Sequence, residues 1–279
     1  MIDNINETVD YLNRAGIHDP EIGIVLGTGL GRMVETMDIV CSIDYSNIPH
    51  FPLSTVESHS GKLIFGMLHG RKLLAMQGRF HYYEGYTLQQ VTFPIRVMKR
   101  LGIRCLLLSN AAGAMNLRFK KGSLMVIDDH INFLPDNPLK GQNLIEFGPR
   151  FPDMSRPYSD ELNDHLMKIA EKEHIVLHKG IYLAVMGPNL ETRAEYRMFR
   201  NFADAVGMST VPEVIVANHM GLPCAAISVI TDECDPDNLV TARIEDILET
   251  AAKADKQLIR IFSILVGELS GNQETGKAK

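Results

Sequence analysis

Between Ala203 and Thr231 the chain reads ADAVGMSTVPEVIVANHMGLPCAAISVIT, and no other stretch constrains the fold as tightly. A short apolar run ends in the small loop Gly207, Met208, Ser209 and Thr210. Pro212 then opens a helix with Glu213 in its first turn, positions that both residues favour. A second apolar run, CAAISVIT, follows the helix. Strand, loop, helix and strand in this order predict an α/β sheet, in which ligands bind where strand carboxyl ends meet helix amino ends. The Ser209 and Thr210 hydroxyls are placed to hydrogen-bond a polar ligand there, and Met208 to pack on a sugar face.

The rest of the chain repeats the pattern. A helix from about Ile5 to Ala15 carries Ile5, Val9 and Leu12 on one face, a helical spacing. IGIVLG reads as a buried strand, and FGMLHGRKLLAMQG as two strands around a His69-Gly70 turn. A helix from about Leu88 to Leu101 contains Pro94, which predicts a kink or an irregular start. Strands CLLLSN and SLMVID precede an irregular stretch from Asn132 to Tyr158, about 27 residues. That length is unusual inside a compact domain and marks a functional or interfacial segment. Helix Asp160 to Glu173, strand IVLHKGIYLAVMG, a helix near Thr192 to Arg200 and a last helix from Ile244 to about Leu269 complete the series. The expectation is one α/β domain over 1–270: a mixed, mostly parallel sheet flanked by helices. The polar tail 271–279 is expected to be disordered.

Composition narrows the classes. A net charge of −6 gives no general attraction to nucleic acid or to an anionic membrane. No apolar run approaches the roughly 18–20 residues that span a bilayer. The acidic, amphipathic start MIDNINETVDYL does not read as a signal peptide. Cys41, Cys105, Cys224 and Cys234 are widely spaced with no C-x-x-C pair, which argues against a disulfide framework or a zinc site. The expected address is the cytoplasm, and no metal is expected.

Several segments that follow strands carry groups able to do chemistry. GTGLG, Gly27 to Gly31, can hold a phosphate on its backbone amides with the Thr28 hydroxyl as a further donor. It is neither G-x-G-x-x-G nor a P-loop, and a plain tight turn is the alternative. QGRFHYYEGY sets Arg79 and His81 two residues apart, on one face if extended, a pairing suited to an oxyanion. A solvated arginine and a surface histidine are the alternative. His59 lies among small polar residues in VESHSGK, SNAAGAMN brings small residues to another strand end, and GPNLETRAE places Glu191 at a strand-to-helix passage.

Taken in order, these segments resemble the trimeric-type purine nucleoside phosphorylases, the branch that includes methylthioadenosine phosphorylases. The resemblance runs from about Gly27 to Leu265 and implies the nucleoside phosphorylase fold. It implies reversible phosphorolysis of purine (2'-deoxy)ribonucleosides, with inosine and guanosine as expected substrates, to free base and (deoxy)ribose 1-phosphate in purine salvage. Phosphate would be held by Thr28, His59, Arg79, His81, the Ala111 amide and Ser209. Tyr83, Met208 and Ile244 would face the ribose, joined by Phe151 lent from a neighbouring subunit. Asn110, Ala112, Leu190, Glu191, Val206, Gly207 and Asp232 would surround the base. Glu191, Asp232 and His81 are the catalytic candidates. Inorganic phosphate enters as a substrate, no cofactor is implied, and the expected assembly is a homotrimer.

The chain departs from that pattern at three places. Leu190 stands where the family commonly has Phe beside the base, which loses stacking and keeps an apolar wall. Asp232 stands where enzymes cleaving guanosine and inosine usually have Asn. An amide both donates and accepts, whereas an ionised carboxylate only accepts, so Asp suits a 6-amino base unless burial keeps it protonated. Ile244 stands where a His often binds the 5'-hydroxyl, and it would tolerate an apolar 5' substituent. These two point to adenosine or methylthioadenosine. Glu191 points back to a 6-oxopurine, because a 6-amino purine has no N1 hydrogen to offer a carboxylate.

Overall fold

The computed structural model describes residues 1–28, 30–53 and 60–269. The expected roles of His59 and of the tail 271–279 fall outside the described residues. The elements are α1 (Ile2–Arg14), β1 (Ile22–Leu26), β2 (Asp38–Asp44), β3 (Lys62–Leu68), β4 (Arg71–Gln77), α2 (Leu88–Leu101), β5 (Cys105–Ala114) and β6 (Leu124–Asn132). Then come α3 (Asp160–Lys172), β7 (Leu177–Ala184), α4 (Arg193–Phe199), β8 (Ala205–Gly207), α5 (Val211–His219), β9 (Cys224–Glu233) and α6 (Ile244–Glu268).

The strands form one sheet in the order β2-β3-β4-β1-β5-β8-β7-β6-β9, and β9 also pairs with β5. Half of the sheet is therefore open and half closes into a five-stranded ring. In the open half β1 lies parallel to both β4 and β5, while β2 and β3 pair antiparallel at the edge. In the ring β9 is parallel to β5 and β6 to β7, with antiparallel joins at β5–β8 and β6–β9. The expected mixed sheet is present. Its closure was not legible, because no local pattern announces that β9 returns to β5.

Alternate strand residues feed two cores. Val25, Leu74, Met76, Leu106 and Leu108 face α1, α2 and α5. Ile24, Leu26, Leu73, Ala75 and Leu107 face α3 and α6. Successive strand side chains point to opposite faces, so helices cover both sides as the alternating pattern requires. Along α6, Leu258, Ile261, Phe262 and Leu265 are buried, and each such side chain contributes about 1.5–3 kcal/mol.

Two local features go beyond the sequence reading. Helix α2 has no irregular start: Thr87 caps it by accepting from the Gln90 N–H, Gly102 ends it in a left-handed conformation, and Pro94 lies within it. Strand β2 was not foreseen, since most of DIVCSID is exposed at the sheet edge and carries no burial alternation. The stretch between β6 and α3 is irregular as expected, anchored in part by Phe147 beneath the Arg96 guanidinium (5.3 Å). Among the described residues no helix is long and apolar enough to cross a membrane.

Candidate active site

Strand ends of both halves of the sheet meet at a cavity of about 300 Å³. Two groups of side chains make its walls, one basic and one acidic.

The basic wall is built around Arg79, just past β4 and 1% exposed. Its Nη1 donates to Ser209 Oγ (3.1 Å) and Thr210 Oγ1 (3.3 Å), and its Nε faces Glu213 Oε1 at 3.2 Å. Both members of that ion pair are buried, so removing either would strand a charge in the interior. Thr210 adopts a left-handed backbone (φ 68°), an uncommon conformation for a β-branched residue. This turn brings its hydroxyl between Arg79 and Asn110, whose Nδ2 donates to it at 2.9 Å. Thr210 is fully buried, so its hydroxyl serves Arg79 and Asn110. That corrects the expectation that it faces a ligand.

Glu84 orients His81, taking its backbone N–H at 2.8 Å and meeting Nδ1 at 2.9 Å. A carboxylate at that nitrogen places the proton on Nδ1. Tyr83 stacks on the imidazole with ring centroids 4.7 Å apart, and burial pushes its phenol up to about 12. On the glycine loop, Gly27 donates to Ser109 Oγ at 3.3 Å. A Cβ there would lie 2.7 Å from the Ser109 carbonyl oxygen, so only glycine lets the loop carrying Thr28 lie against β5.

The acidic wall lies at the ends of β9 and the β7–α4 connection. Asp232 Oδ1 accepts from the Thr231 hydroxyl at 2.9 Å, and Oδ2 from the Cys234 thiol at 3.2 Å. The Tyr196 hydroxyl faces Glu191. Its carboxyl is held above the usual range, first by burial and then by the nearby Asp232 and Glu195 carboxylates. Leu190, Val206, Gly207, Met208, Ala112 and Gly113 complete the lining, with Ile244 and Ile247 of α6 at the margin.

Of the residues expected at the site, the structure brings Thr28, Arg79, His81, Tyr83, Asn110, Ala111, Ala112, Leu190, Glu191, Val206, Gly207, Met208, Ser209, Asp232 and Ile244 to this one cavity. Phe151 is not among them. It is 88% exposed and lines a separate cleft with Arg150 and Met154. Sequence reasoning missed Glu84, Tyr182, Tyr196, Cys234 and the pairing of Glu213. The His81-x-x-Glu84 spacing was a readable signal. Tyr182, whose hydroxyl accepts from the Ser209 N–H at 3.3 Å, gave none.

A mixed sheet that gathers a basic and an acidic wall around one cavity defines a class as well as a fold. Residues 21–267 match the model of the Phosphorylase superfamily. The chain is 44% identical over 269 residues to purine nucleoside phosphorylase 1 of Bacillus subtilis (strain 168), covering 96% of this chain and 99% of that one. It is 42% identical over 282 residues to the purine nucleoside phosphorylase of Bos taurus, covering 98% of each. Isoform 2 of the purine nucleoside phosphorylase of Schistosoma mansoni, solved in complex with cytosine and ribose-1-phosphate, superposes with a TM-score of 0.91 at 42% identity over 96% of both chains. The chain belongs to the purine nucleoside phosphorylase family of the Phosphorylase superfamily and is an enzyme.

Proposed function

We propose that the enzyme cleaves purine (2'-deoxy)ribonucleosides with phosphate, taking 6-oxopurines such as inosine and guanosine. The observation that carries this reading is the meeting of the two walls in one cavity. Thr28, Arg79, His81 and Ser209 suit an oxyanion, while Glu191 and Asp232 suit a nucleobase. The ribose-1-phosphate held by the Schistosoma protein is the product this reaction would give here.

In this reading the glycosidic bond lengthens first and the ribosyl group gains oxocarbenium character. Phosphate on the basic wall, with His59 and the Ala111 amide as further contacts, stabilises that cation and captures the anomeric carbon. His81, oriented by Glu84, turns toward the phosphate. Tyr83 and Met208 position the ribose. Electron density flowing into the purine is met by Glu191 at N1–H and by Asp232 near N7, which assists departure of the base. Asn110, Ala112, Leu190, Val206 and Gly207 pack around the ring. Phosphate is a substrate, so the step needs no further cofactor. Enclosure protects the cation from water. The outlying Phe151 fits a residue lent to a neighbour's ribose pocket in a homotrimer. Four free thiols accord with a reducing compartment such as the cytoplasm.

A second reading rests on Asp232 and on the apolar pair Ile244 and Ile247 at the cavity margin. It assigns 6-amino or 5'-alkylthio nucleosides, adenosine or methylthioadenosine, as the preferred substrates. Inosine, guanosine, adenosine and methylthioadenosine assayed side by side, with and without phosphate, separate the readings. Phosphate-dependent release of hypoxanthine and guanine is the expected result. Preference for methylthioadenosine would establish the second reading, and release independent of phosphate would make the enzyme a hydrolase.

A further inference from the structure

The acidic wall contains more machinery than two carboxylates. Cys234 follows β9 directly, and its backbone N–H donates to the Ala114 carbonyl at 2.8 Å, which fixes the thiol beside the end of β5. The thiol is buried and donates to Asp232 Oδ2 at 3.2 Å. A Cβ on Gly113 would lie 2.5 Å from Cys234 Sγ and 2.9 Å from Asp232 Oδ2, so β5 leaves space for this contact alone. Tyr196, on α4 and 3% exposed, lies beside both Glu191 and Cys234, its hydroxyl acting on each. Asp232, Cys234, Tyr196 and Glu191 thus stand together along the base-facing wall, and all four line the cavity.

We infer that Cys234 and Tyr196 are positioning residues that set base preference, the thiol holding Asp232 and the phenol holding Glu191 where the edge of the base reaches them. The inference rests on the phosphorolysis reading above and deepens it. Thr231 and Cys234 give each Asp232 oxygen one donor. A second lone pair on each oxygen remains for a donor on the base, such as N7–H. The phenol has one proton and two acceptors, Glu191 and the Cys234 sulfur. Donated to Glu191, it favours the ionised carboxylate.

The groups that face Glu191 are Tyr196 and Glu195 from α4 and Asp232 and Cys234 from the end of β9. Burial and the two carboxylates favour protonation, and the Glu191 backbone N–H and then the phenol oppose them. A 6-oxopurine presents N1–H and needs charged Glu191. A 6-amino purine presents a bare N1 and needs Glu191 protonated. The proton on Glu191 therefore selects between the two substrate classes, and Tyr196 biases it.

The test is kcat/KM for inosine and for adenosine between pH 5 and 9, with phosphate KM measured alongside. The unmodified enzyme should favour inosine increasingly as pH rises. Tyr196→Phe keeps the ring and removes the donor. It should move the pH dependence of the inosine-to-adenosine ratio upward by about half a unit to one unit, a three- to tenfold change at fixed pH, with phosphate KM unchanged. Cys234→Ala should leave Asp232 Oδ2 without its donor and shift the ratio several-fold, and Cys234→Ser should restore it. Should the alanine variant fail to fold, the serine and phenylalanine variants still carry the pH comparison. Profiles that superimpose on those of the unmodified enzyme, or equal losses on both substrates, would overturn the inference while leaving phosphorolysis intact. An unmodified protein that cleaves no purine nucleoside with phosphate would overturn both.

Discussion

The two walls of the cavity are made by different means. The basic wall is a buried lattice. Arg79 is fixed by Ser209, Thr210 and Glu213, and a strained Thr210 turn links it to Asn110. The acidic wall is a chain of neutral donors, Thr231, Cys234 and Tyr196, that leads to Asp232 and Glu191. A phosphate demands the same geometry whichever nucleoside arrives, so a rigid charge constellation serves it. Bases differ by single hydrogens, so the surface that reads them is built from groups whose protonation can shift. Removing a piece of each wall should therefore have unlike consequences.

The largest effect is expected from Arg79→Met. It removes the central charge of the basic wall and strands Glu213, which is 3% exposed. Turnover should fall by about 10³-fold or more with a raised phosphate KM, and stability by about 3–5 kcal/mol. Steady-state kinetics at varied phosphate and a denaturant melt measure both. Glu213→Gln leaves the buried Arg79 without its counter-ion, so stability should fall on a similar scale. If Arg79→Met left phosphate KM unchanged, the basic wall would not be the anion site.

Asp232→Asn probes the other wall. The amide can donate to O6 or accept from N7–H, where the carboxylate only accepts. The inosine-to-adenosine ratio should rise by about tenfold, the worth of one unmet buried polar group, with phosphate KM unmoved. An equal change on both substrates would place Asp232 away from the purine edge. Ile244→His at the cavity margin should be weaker. Ile244 is 56% exposed, so a new contact to a 5'-hydroxyl is worth only about a few-fold in kcat/KM. The gain should appear for inosine and not for methylthioadenosine, and a gain on both would mean that the residue acts by packing alone.

The same contrast explains what the sequence made readable. The basic wall sits on short segments in which chemistry and local structure coincide. Arg79 and His81 follow a strand, and Ser209 precedes Pro212 at a helix start, so periodicity and turn residues located them. Partners within a few residues were within reach too, as His81-x-x-Glu84 illustrates. The acidic wall depends on the ring. Cys234 meets Tyr196 only because β9 pairs with β5 while α4 packs over the same end, and their separation along the chain hides that contact. Cys234 gave no signal beyond a thiol near an acid. Buried Tyr182 under Ser209 is another such case, a core residue by pattern that is also a hydrogen-bond partner.

A buried carboxylate away from the cavity, Asp255, contrasts with Glu213. Glu213 and Asp255 are both buried carboxylates, but only Glu213 is paired with a guanidinium in van der Waals reach. Asp255, on α6, has the Arg32 charge and backbone N–H as favourable influences and Glu35 as an unfavourable one. Burial outweighs them and pushes its carboxyl up to about 6 from the usual 3.8. A folded-state value above the unfolded one means that the native protein binds this proton more tightly. Its stabilising contribution is therefore full below about pH 4 and lost as pH rises through about 6. The ionised form should then cost about 2–3 kcal/mol at pH 8. Asp255→Asn removes the titration, so its melting temperature relative to the unmodified protein should rise between pH 4 and pH 8, with kcat/KM for inosine unchanged. A difference that stays flat across that range would mean that Asp255 is solvated or paired in solution, and the asymmetry with Glu213 would disappear.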